Sequence, residues 1–100
     1  MVKHIILWNL DDKYSDSEKA EIKRNIKTGL EGLAGRIDGL IDIKVNINGL
    51  PSSTVDLMLD STFESEAALR AYSTDLLHVE VADTLVRPFT VRRSCLDFEI

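Results

Sequence analysis

The sequence predicts an α+β domain whose elements follow the order β-α-β-β-α-β. Four segments rich in Val, Ile and Leu send alternate residues to opposite sides, which is the period of a β-strand. Two further regions repeat apolar residues every three or four positions, which is the period of an amphipathic helix. A chain of 100 residues is close to the commonest domain size, so we expect a single domain over residues 1–100.

The first predicted strand, about residues 2–10, is apolar on both faces. One face carries the residues at even positions, which are His4, Ile6, Trp8 and Leu10. The other face carries Ile5 and Leu7. Because both faces are apolar at the centre of the strand, we expect cover on both sides of it.

A capping box marks the start of the first helix. Ser15 is the expected N-cap, and Glu18 stands at the third helical position. The helix then carries one apolar stripe at spacings of four, four, three and four residues, formed by Ile22, Ile26, Leu30, Leu33 and Ile37. Gly35 or Gly39 can adopt the left-handed conformation that ends a helix.

The second and third strands are predicted over about residues 40–48 and 54–63. The second alternates strictly between apolar and polar residues, which favours an edge strand with one exposed face. One face of the third carries Val55, Leu57, Leu59 and Phe63, and its opposite face carries Asp56, Met58 and Asp60.

Ser65 can cap a second helix over about residues 66–73. After a break near Asp75, a further helix is predicted as far as about Val86, and Pro88 stops it. The second helical region is therefore expected to be split in two.

The last strand is predicted over about residues 90–100, and its alternation separates two faces. One face carries Arg92, Ser94, Leu96, Phe98 and Ile100, and the other carries Val91, Arg93, Cys95, Asp97 and Glu99. The complete element order is that of the ferredoxin-like sandwich, in which right-handed crossovers make the first and third strands central. Helices on one face of such a sheet leave Ile5, Leu7 and Met58 without cover on the other face. Because monomers seldom expose a contiguous apolar patch, we expect a homodimer that packs sheet against sheet.

The composition narrows the possible partners. A net charge of −5 and a pI near 4.9 disfavour nucleic acid and anionic membranes, because phosphate binding depends on clustered Lys and Arg. The single cysteine, Cys95, excludes an internal disulfide and fits a reducing compartment. No apolar run approaches the roughly 18 residues of a membrane span. We therefore expect a cytoplasmic protein.

The two histidines, His4 and His78, are the candidate functional residues, and an aromatic residue accompanies each of them, Trp8 and Tyr72. If the fold brings these four together, they form a small polar cluster in an otherwise apolar cavity. We expect an apolar or aromatic ligand in that cavity. The other residues expected to enclose it are Ile6, Ile22, Ile26, Leu57, Leu59, Ala82 and Phe89.

The candidate catalytic residues are His78 and Tyr72. The pKa of an unperturbed imidazole is about 6.5, so the neutral ring is available at pH 7 as a general base. Tyr72 can donate a hydrogen bond to that ring or to an enolate oxygen in the substrate. The alternative is structural, with each histidine satisfied by a neighbouring hydroxyl or carbonyl. The sequence leaves both interpretations open.

No cofactor is expected. The two histidines lack the spacing of a metal site, and there is no Gly-rich phosphate loop, nucleophile elbow or dinucleotide fingerprint. The absence of such motifs fits both a binding protein and an enzyme that works without a cofactor.

Over nearly its whole length the chain resembles the stress-responsive A/B barrel domain family. The resemblance rests on four segments in the same order, which are residues 2–7, 63–69, 72–78 and 96–98. It implies a homodimer whose two sheets meet to form a central barrel. It also implies a pocket between sheet and helices in each subunit.

One plant branch of this family, olivetolic acid cyclase, performs a cofactor-free aldol cyclisation of a linear polyketide. Its catalytic tyrosine and histidine match Tyr72 and His78, and its first-strand pocket histidine matches His4. Ile26 and Leu57 stand where that cyclase has a pocket tyrosine and a third pocket histidine. Two function classes follow from the resemblance.

The first class is a stress-associated homodimer that binds a small molecule without turnover. The second is a cofactor-independent enzyme, either a cyclase or a monooxygenase of the antibiotic-biosynthesis type. Because polar pocket groups are missing at Ile26 and Leu57, the sequence favours the first class.

Overall fold

The computed structural model describes all 100 residues of the chain. Its elements are β1 (Val2–Leu10), α1 (Asp16–Glu31), β2 (Leu40–Asn46), β3 (Leu57–Phe63), α2 (Glu66–Thr74), α3 (Leu76–Val81), a π-helical turn (Ala82–Val86) and β4 (Thr90–Glu99). The expected element order and the split second helical region are both confirmed. None of the helices combines the length and the apolarity needed to cross a membrane.

The four strands form one antiparallel sheet in the order β2-β3-β1-β4, so the first and third strands are central as predicted. The helices cover one face of this sheet. On that face the buried side chains of α1 meet those of β1, β2 and β3 in a single apolar cluster. The fold is therefore the ferredoxin-like sandwich that the element order predicts.

The first helix begins as expected and ends early. The backbone N–H of Glu18 donates to Ser15 Oγ at 3.2 Å, and the N–H of Ser15 donates to Glu18 Oε1 at 2.9 Å, which is the predicted capping box. The helix stops at Glu31, so Leu33 and Ile37 lie in the turns that follow it. Both nevertheless remain buried, at 2% and 7% exposure, so the stripe continues beyond the helix.

The third strand begins three residues later than predicted, at Leu57 rather than Thr54. Asp56 explains the difference. Its backbone N–H donates to the carbonyl of Trp8, and its carboxylate accepts from the N–H of Leu10 at 2.8 Å. These bonds take the place of strand pairing, so the chain joins the ladder only after Asp56.

A β-bulge interrupts β4 where it passes Trp8. Leu7 pairs with Ser94, but Asn9 pairs with Val91, so β4 has one more residue than β1 across this stretch. At the bulge Arg92 has a φ of 53°, in the left-handed region that side chains other than glycine rarely adopt. Sequence alternation placed Val91 and Arg93 on the same face. This is wrong, because the extra residue reverses the alternation before Arg93.

The face of the sheet opposite the helices is partly apolar. Ile5, Leu7 and Met58 are half-buried there, as predicted, and cross-strand pairing adds two exposed residues of β4, Leu96 and Phe98. Their exposures are 63% and 41%. An ion pair of Lys3 and Asp60 lies on the same face, with 2.5 Å between the charged atoms.

A candidate small-molecule cavity

A cavity of about 180 Å³ lies between the sheet and the helices. From the sheet β1 contributes His4, Ile6 and Trp8, and β3 contributes Leu59. On the helical side, the wall is made by residues from the end of α1 to the π-turn, which are Leu30, Leu69, Tyr72, Ser73, His78, Ala82 and Val86. Arg87, Thr90 and Arg93 complete the lining.

The structure brings seven of the residues named from sequence to this cavity, namely His4, Ile6, Trp8, Leu59, Tyr72, His78 and Ala82. Four others lie outside its lining, which are Ile22, Ile26, Leu57 and Phe89. The stripe reaches the cavity only at Leu30, its last member within α1, and the two earlier isoleucines are buried in the core. Leu57 is likewise a core residue, and Phe89 packs against the ring of Tyr14 at 5.8 Å.

His4 is held by an acidic residue on the neighbouring strand. Its Nδ1 lies 2.5 Å from Asp97 Oδ1, and the two residues are direct cross-strand partners. Because a carboxylate accepts, the ring donates from Nδ1, and in the neutral ring this leaves Nε2 as the acceptor. His4 is 9% exposed as a residue, and its ring meets Phe63 and Tyr72 edge-on, with centroids 6.2 Å away in both cases.

Tyr72 and His78 form the second polar element of the cavity. Their rings stack with centroids 3.9 Å apart and planes 28° apart. Neither the Tyr72 hydroxyl nor Nδ1 of His78 has a hydrogen-bond partner, although both atoms are buried. The hydrogen bond from Tyr72 to His78 that the sequence suggested is therefore absent, because the rings meet face to face.

The break between α2 and α3 creates this stack. Asp75 ends α2, with its N–H donating to the carbonyl of Tyr72 at 3.1 Å. Its side chain caps α3 by accepting from the N–H of Leu77 at 2.9 Å. Tyr72 thus lies in the last turn before the break and His78 in the first turn after it.

Burial sets the protonation states of the stacked pair. Burial raises the pKa of the Tyr72 hydroxyl, which stays protonated and can donate. Burial also lowers the pKa of His78, and the Arg87 guanidinium lowers it further, against the opposing effect of the nearby carbonyls of Tyr72 and Ser73. At neutral pH two neighbouring residues of the cavity lining therefore carry a protonated hydroxyl and a neutral imidazole.

The π-turn shapes the wall beside His78. The N–H of Arg87 donates to the carbonyl of Ala82 at 2.8 Å, which is a spacing of five residues. This wider turn places Ala82, Val86 and Arg87 together on the cavity lining. Thr90 closes the turn by donating from its hydroxyl to the carbonyl of Val86 at 3.0 Å.

Comparison with known proteins places the chain in a family. The family model for the Stress Responsive A/B Barrel Domain matches residues 2–100. The chain belongs to this family. No functionally curated protein matches it.

Three solved structures illustrate the relationships of this A/B barrel domain. A protein from Bacteroides fragilis, described as dimeric with a ferredoxin-like fold, is 29% identical, with a TM-score of 0.91 over 99% of this chain and 95% of that one. A dimeric ferredoxin-like protein from Thermobifida fusca is 21% identical, with a TM-score of 0.80 over 99% and 90%. The hydroxynitrile lyase of Passiflora edulis shares the fold at 17% identity, with a TM-score of 0.72 over 99% and 92%.

Sequence reasoning missed three polar residues that matter to the cavity of this A/B barrel domain. Asp97 holds His4, while Arg87 and Arg93 line the cavity. Antiparallel pairing of β1 with β4 was the available signal for Asp97, because a direct partner of His4 must share its face. For Arg93 the sequence offered no such signal, since the bulge at Arg92 lacks the glycine or asparagine that usually marks one.

In one place in the A/B barrel domain, three side chains with metal-ligating atoms lie close together. Ligand atoms of His4, Cys95 and Asp97 lie within 4.8 Å of one another. Binding of an ion there would require His4 Nδ1 to give up its hydrogen bond to Asp97. Burial raises the pKa of the Cys95 thiol, and the carboxylate of Asp97 adds to this, so the thiol is neutral at pH 7.

Proposed function

We propose that this A/B barrel domain is a homodimer that binds a small, largely apolar molecule in the cavity of each subunit. The observation that carries the proposal is that two residues of the cavity lining, Tyr72 and His78, each bury a polar atom without a hydrogen-bond partner, namely the hydroxyl and Nδ1. A buried polar group without a partner costs about 1–3 kcal/mol. A ligand that pairs with these atoms recovers that cost.

The rest of the lining favours an apolar ligand body. Ile6, Trp8 and Leu59 line the sheet side, and Leu69 and Val86 line the helical side. An apolar cavity of about 150 Å³ is large enough for benzene, so 180 Å³ accommodates a single ring with a short substituent. The family name suggests an association with stress, and we propose a stress-associated binding role on that basis.

The homodimer is supported by the uncovered face of the sheet. Ile5, Leu7, Met58, Leu96 and Phe98 form an apolar patch that a second copy can cover. The related proteins from Bacteroides fragilis and Thermobifida fusca are described as dimeric. A stable sheet-to-sheet interface is expected to bury at least about 1,200 Å².

Calorimetric titration with two neutral aromatic probes, acetophenone and 2-phenylethanol, tests the binding function. We expect saturable binding to the wild type and its loss in Ala82→Leu, because Ala82 lines the cavity and a larger side chain fills it. Ala20→Leu, on the exposed side of α1, is the matched control and should bind like the wild type. Equal binding by all three proteins would place the probes elsewhere and contradict the proposal.

Cofactor-independent acid–base catalysis is the second candidate function. It is favoured by the neutral imidazole of His78 beside the Tyr72 hydroxyl, because one can accept a proton while the other stabilises developing charge on oxygen. The cyclase resemblance suggests aldol chemistry, and monooxygenation of a quinol-like substrate is the alternative. Turnover of β-polyketide and quinol-like substrates by wild type and His78→Ala distinguishes the two candidate functions. Only an enzyme converts a substrate at a rate that the variant lacks.

A further inference from the structure

Arg93 places a positive charge at the opening of the cavity. It lies on the edge strand β4, is exposed, and lines the cavity, so it stands at the opening. A wider groove of about 680 Å³ continues outward from there and shares His4, Leu69, Ser73 and Arg93 with the cavity lining. A ligand entering through the groove passes this guanidinium.

The bulge in β4 determines which of two adjacent arginines faces the cavity. In a regular strand Thr90 and Arg93 would point to opposite faces, because they are an odd number of residues apart. Here both line the cavity. The left-handed Arg92 absorbs the change of direction, and bulges and strained backbones of this kind are common beside functional sites.

Arg93 is also the cavity arginine without an acidic partner. Arg87 pairs with Asp83, and on the outer side Arg92 lies 4.0 Å from Asp12. No carboxylate lies within ion-pair distance of Arg93. On its own face of β4 the next residue, Cys95, contacts Arg93 but carries a neutral thiol, and the one after it, Asp97, accepts from His4.

We propose that the ligand of this cavity is a small organic monocarboxylate with an aryl or branched-alkyl body, and that Arg93 binds its carboxylate. This inference rests on the proposed binding function. The planar guanidinium can donate two parallel hydrogen bonds to a carboxylate, which gives orientation as well as affinity. The apolar body then lies between Trp8 and Val86, toward the polar atoms of Tyr72 and His78.

Because the protein is negatively charged overall, a preference for carboxylate ligands would identify a local positive group in the cavity. A net charge of −5 disfavours anions at the surface in general. A preference for a carboxylate over a neutral ligand of the same shape must therefore come from a local positive group. Among the residues that line the cavity, Arg93 is the one available for that purpose.

Three ligands of similar shape test the inference, namely phenylacetate, phenylacetamide and 2-phenylethanol, titrated calorimetrically at pH 7 and low salt. We expect the wild type to bind the acid about 10–100-fold more tightly than the amide, the usual effect of a charge-assisted pair. Arg93→Gln should abolish this preference while keeping affinity for the amide. Arg93→Lys should retain only part of it, because an ammonium lacks the fork of the guanidinium.

Arg92→Asn is the matched control, since it removes the neighbouring positive charge and asparagine tolerates the left-handed backbone. It should keep the preference of the wild type. If the wild type binds the amide as tightly as the acid, the carboxylate inference is overturned and the binding function stands. If none of the three ligands binds, the binding function itself fails, and the inference fails with it.

Discussion

Tyr72 and His78 stack their rings 3.9 Å apart, yet no hydrogen bond joins the hydroxyl of one to the imidazole of the other. The contact fixes the position of both rings and leaves one donor and one nitrogen buried and unpaired on two residues that line the cavity. In a purely structural pair these atoms would be expected to satisfy each other, because unpaired buried groups are costly. Tyr72 is part of the apolar core, and the two unpaired atoms are the ones that the proposed ligand would satisfy.

Tyr72→Phe tests whether the hydroxyl is unpaired in the free protein. The change keeps the aromatic stack and removes a buried group without a partner, so the free energy of unfolding should stay the same or rise by about 1 kcal/mol. Urea denaturation at pH 7 measures this difference. A loss of more than about 1 kcal/mol would mean that the hydroxyl is hydrogen-bonded in the folded state. In the same variant, the affinity for acetophenone should fall, because its carbonyl loses a donor.

The depressed pKa of His78 predicts a pH dependence of stability. In the unfolded chain the pKa of this residue is about 6.5. In the folded protein burial lowers this pKa most, and the positive charge of Arg87 and the ring of His4 lower it further. As the pH falls below about 6.5, the unfolded state therefore takes up a proton that the folded state does not, and the free energy of unfolding decreases. Well above that pH the imidazole is neutral in both states, and the residue contributes no pH dependence.

Urea denaturation of wild type and His78→Gln at pH 7.5, 6.5 and 5.5 isolates this contribution. The variant should lose less stability between pH 6.5 and 5.5 than the wild type does. A proton titration of the imidazole by NMR should give a midpoint below the ordinary value. If the free energy of unfolding depends on pH equally in the two proteins, the pKa of His78 is the same in the folded and the unfolded state.

The link between His4 and Asp97 should contribute measurably to stability. Asp97→Asn replaces a charge-assisted hydrogen bond with a neutral one, and since Asp97 is 43% exposed, we expect a loss of only about 1 kcal/mol. Glu99→Gln, at the next position on the same face of β4, is the control and should have little effect. A double-mutant cycle with His4→Gln should show coupling between the pair. Additive effects would mean that the two side chains do not interact in solution.

The fold could be predicted because each element has a strong local signal. The period of β1, the capping box at Ser15 and the break at Asp75 all depend on neighbours in the sequence, which a single chain displays. The start of β3 could not be predicted, because Asp56 leaves the ladder through bonds to Trp8 and Leu10, residues far away in the sequence.

The candidate site was predictable only in part, for a similar reason. The alternation of β1 predicted that His4 and Trp8 share a face. The stack of Tyr72 on His78 could not be predicted in this way, because it depends on the angle between two short helices. Arg93 reaches the cavity through a bulge that nothing in the local sequence signals. Residues positioned by irregular backbone are thus the ones that pattern reasoning misses.

The uncovered face of the sheet predicts a dimer that one charge can disrupt. The wild type should sediment at twice the 11.2 kDa mass of one chain at micromolar concentration. Leu96→Glu should shift the protein to the monomer, because a carboxylate buried in an apolar interface has no partner. Leu76→Glu changes another exposed leucine, on the helical side, and should leave the dimer intact. A wild type that sediments as one chain would contradict the homodimer.

If the protein is an enzyme, turnover should depend mainly on His78. Removing a positioned acid–base group usually lowers the rate by about 10²–10⁴-fold, and His78→Ala should do the same. Tyr72→Phe should cost less and should leave the pH profile unchanged, because the hydroxyl makes no hydrogen bond to the imidazole and acts only on the substrate. Neither activity should require an added metal ion or organic cofactor.

Turnover of the same β-polyketide and quinol-like substrates by wild type, His78→Ala and Tyr72→Phe checks this prediction. Circular dichroism establishes that each variant is folded. His4→Gln tests the other histidine, whose Nδ1 is already engaged by Asp97. A rate in folded His78→Ala equal to that of the wild type would exclude acid–base catalysis by His78. In that case the unpaired atoms of Tyr72 and His78 serve ligand binding alone, because proton transfer in the cavity would have no base.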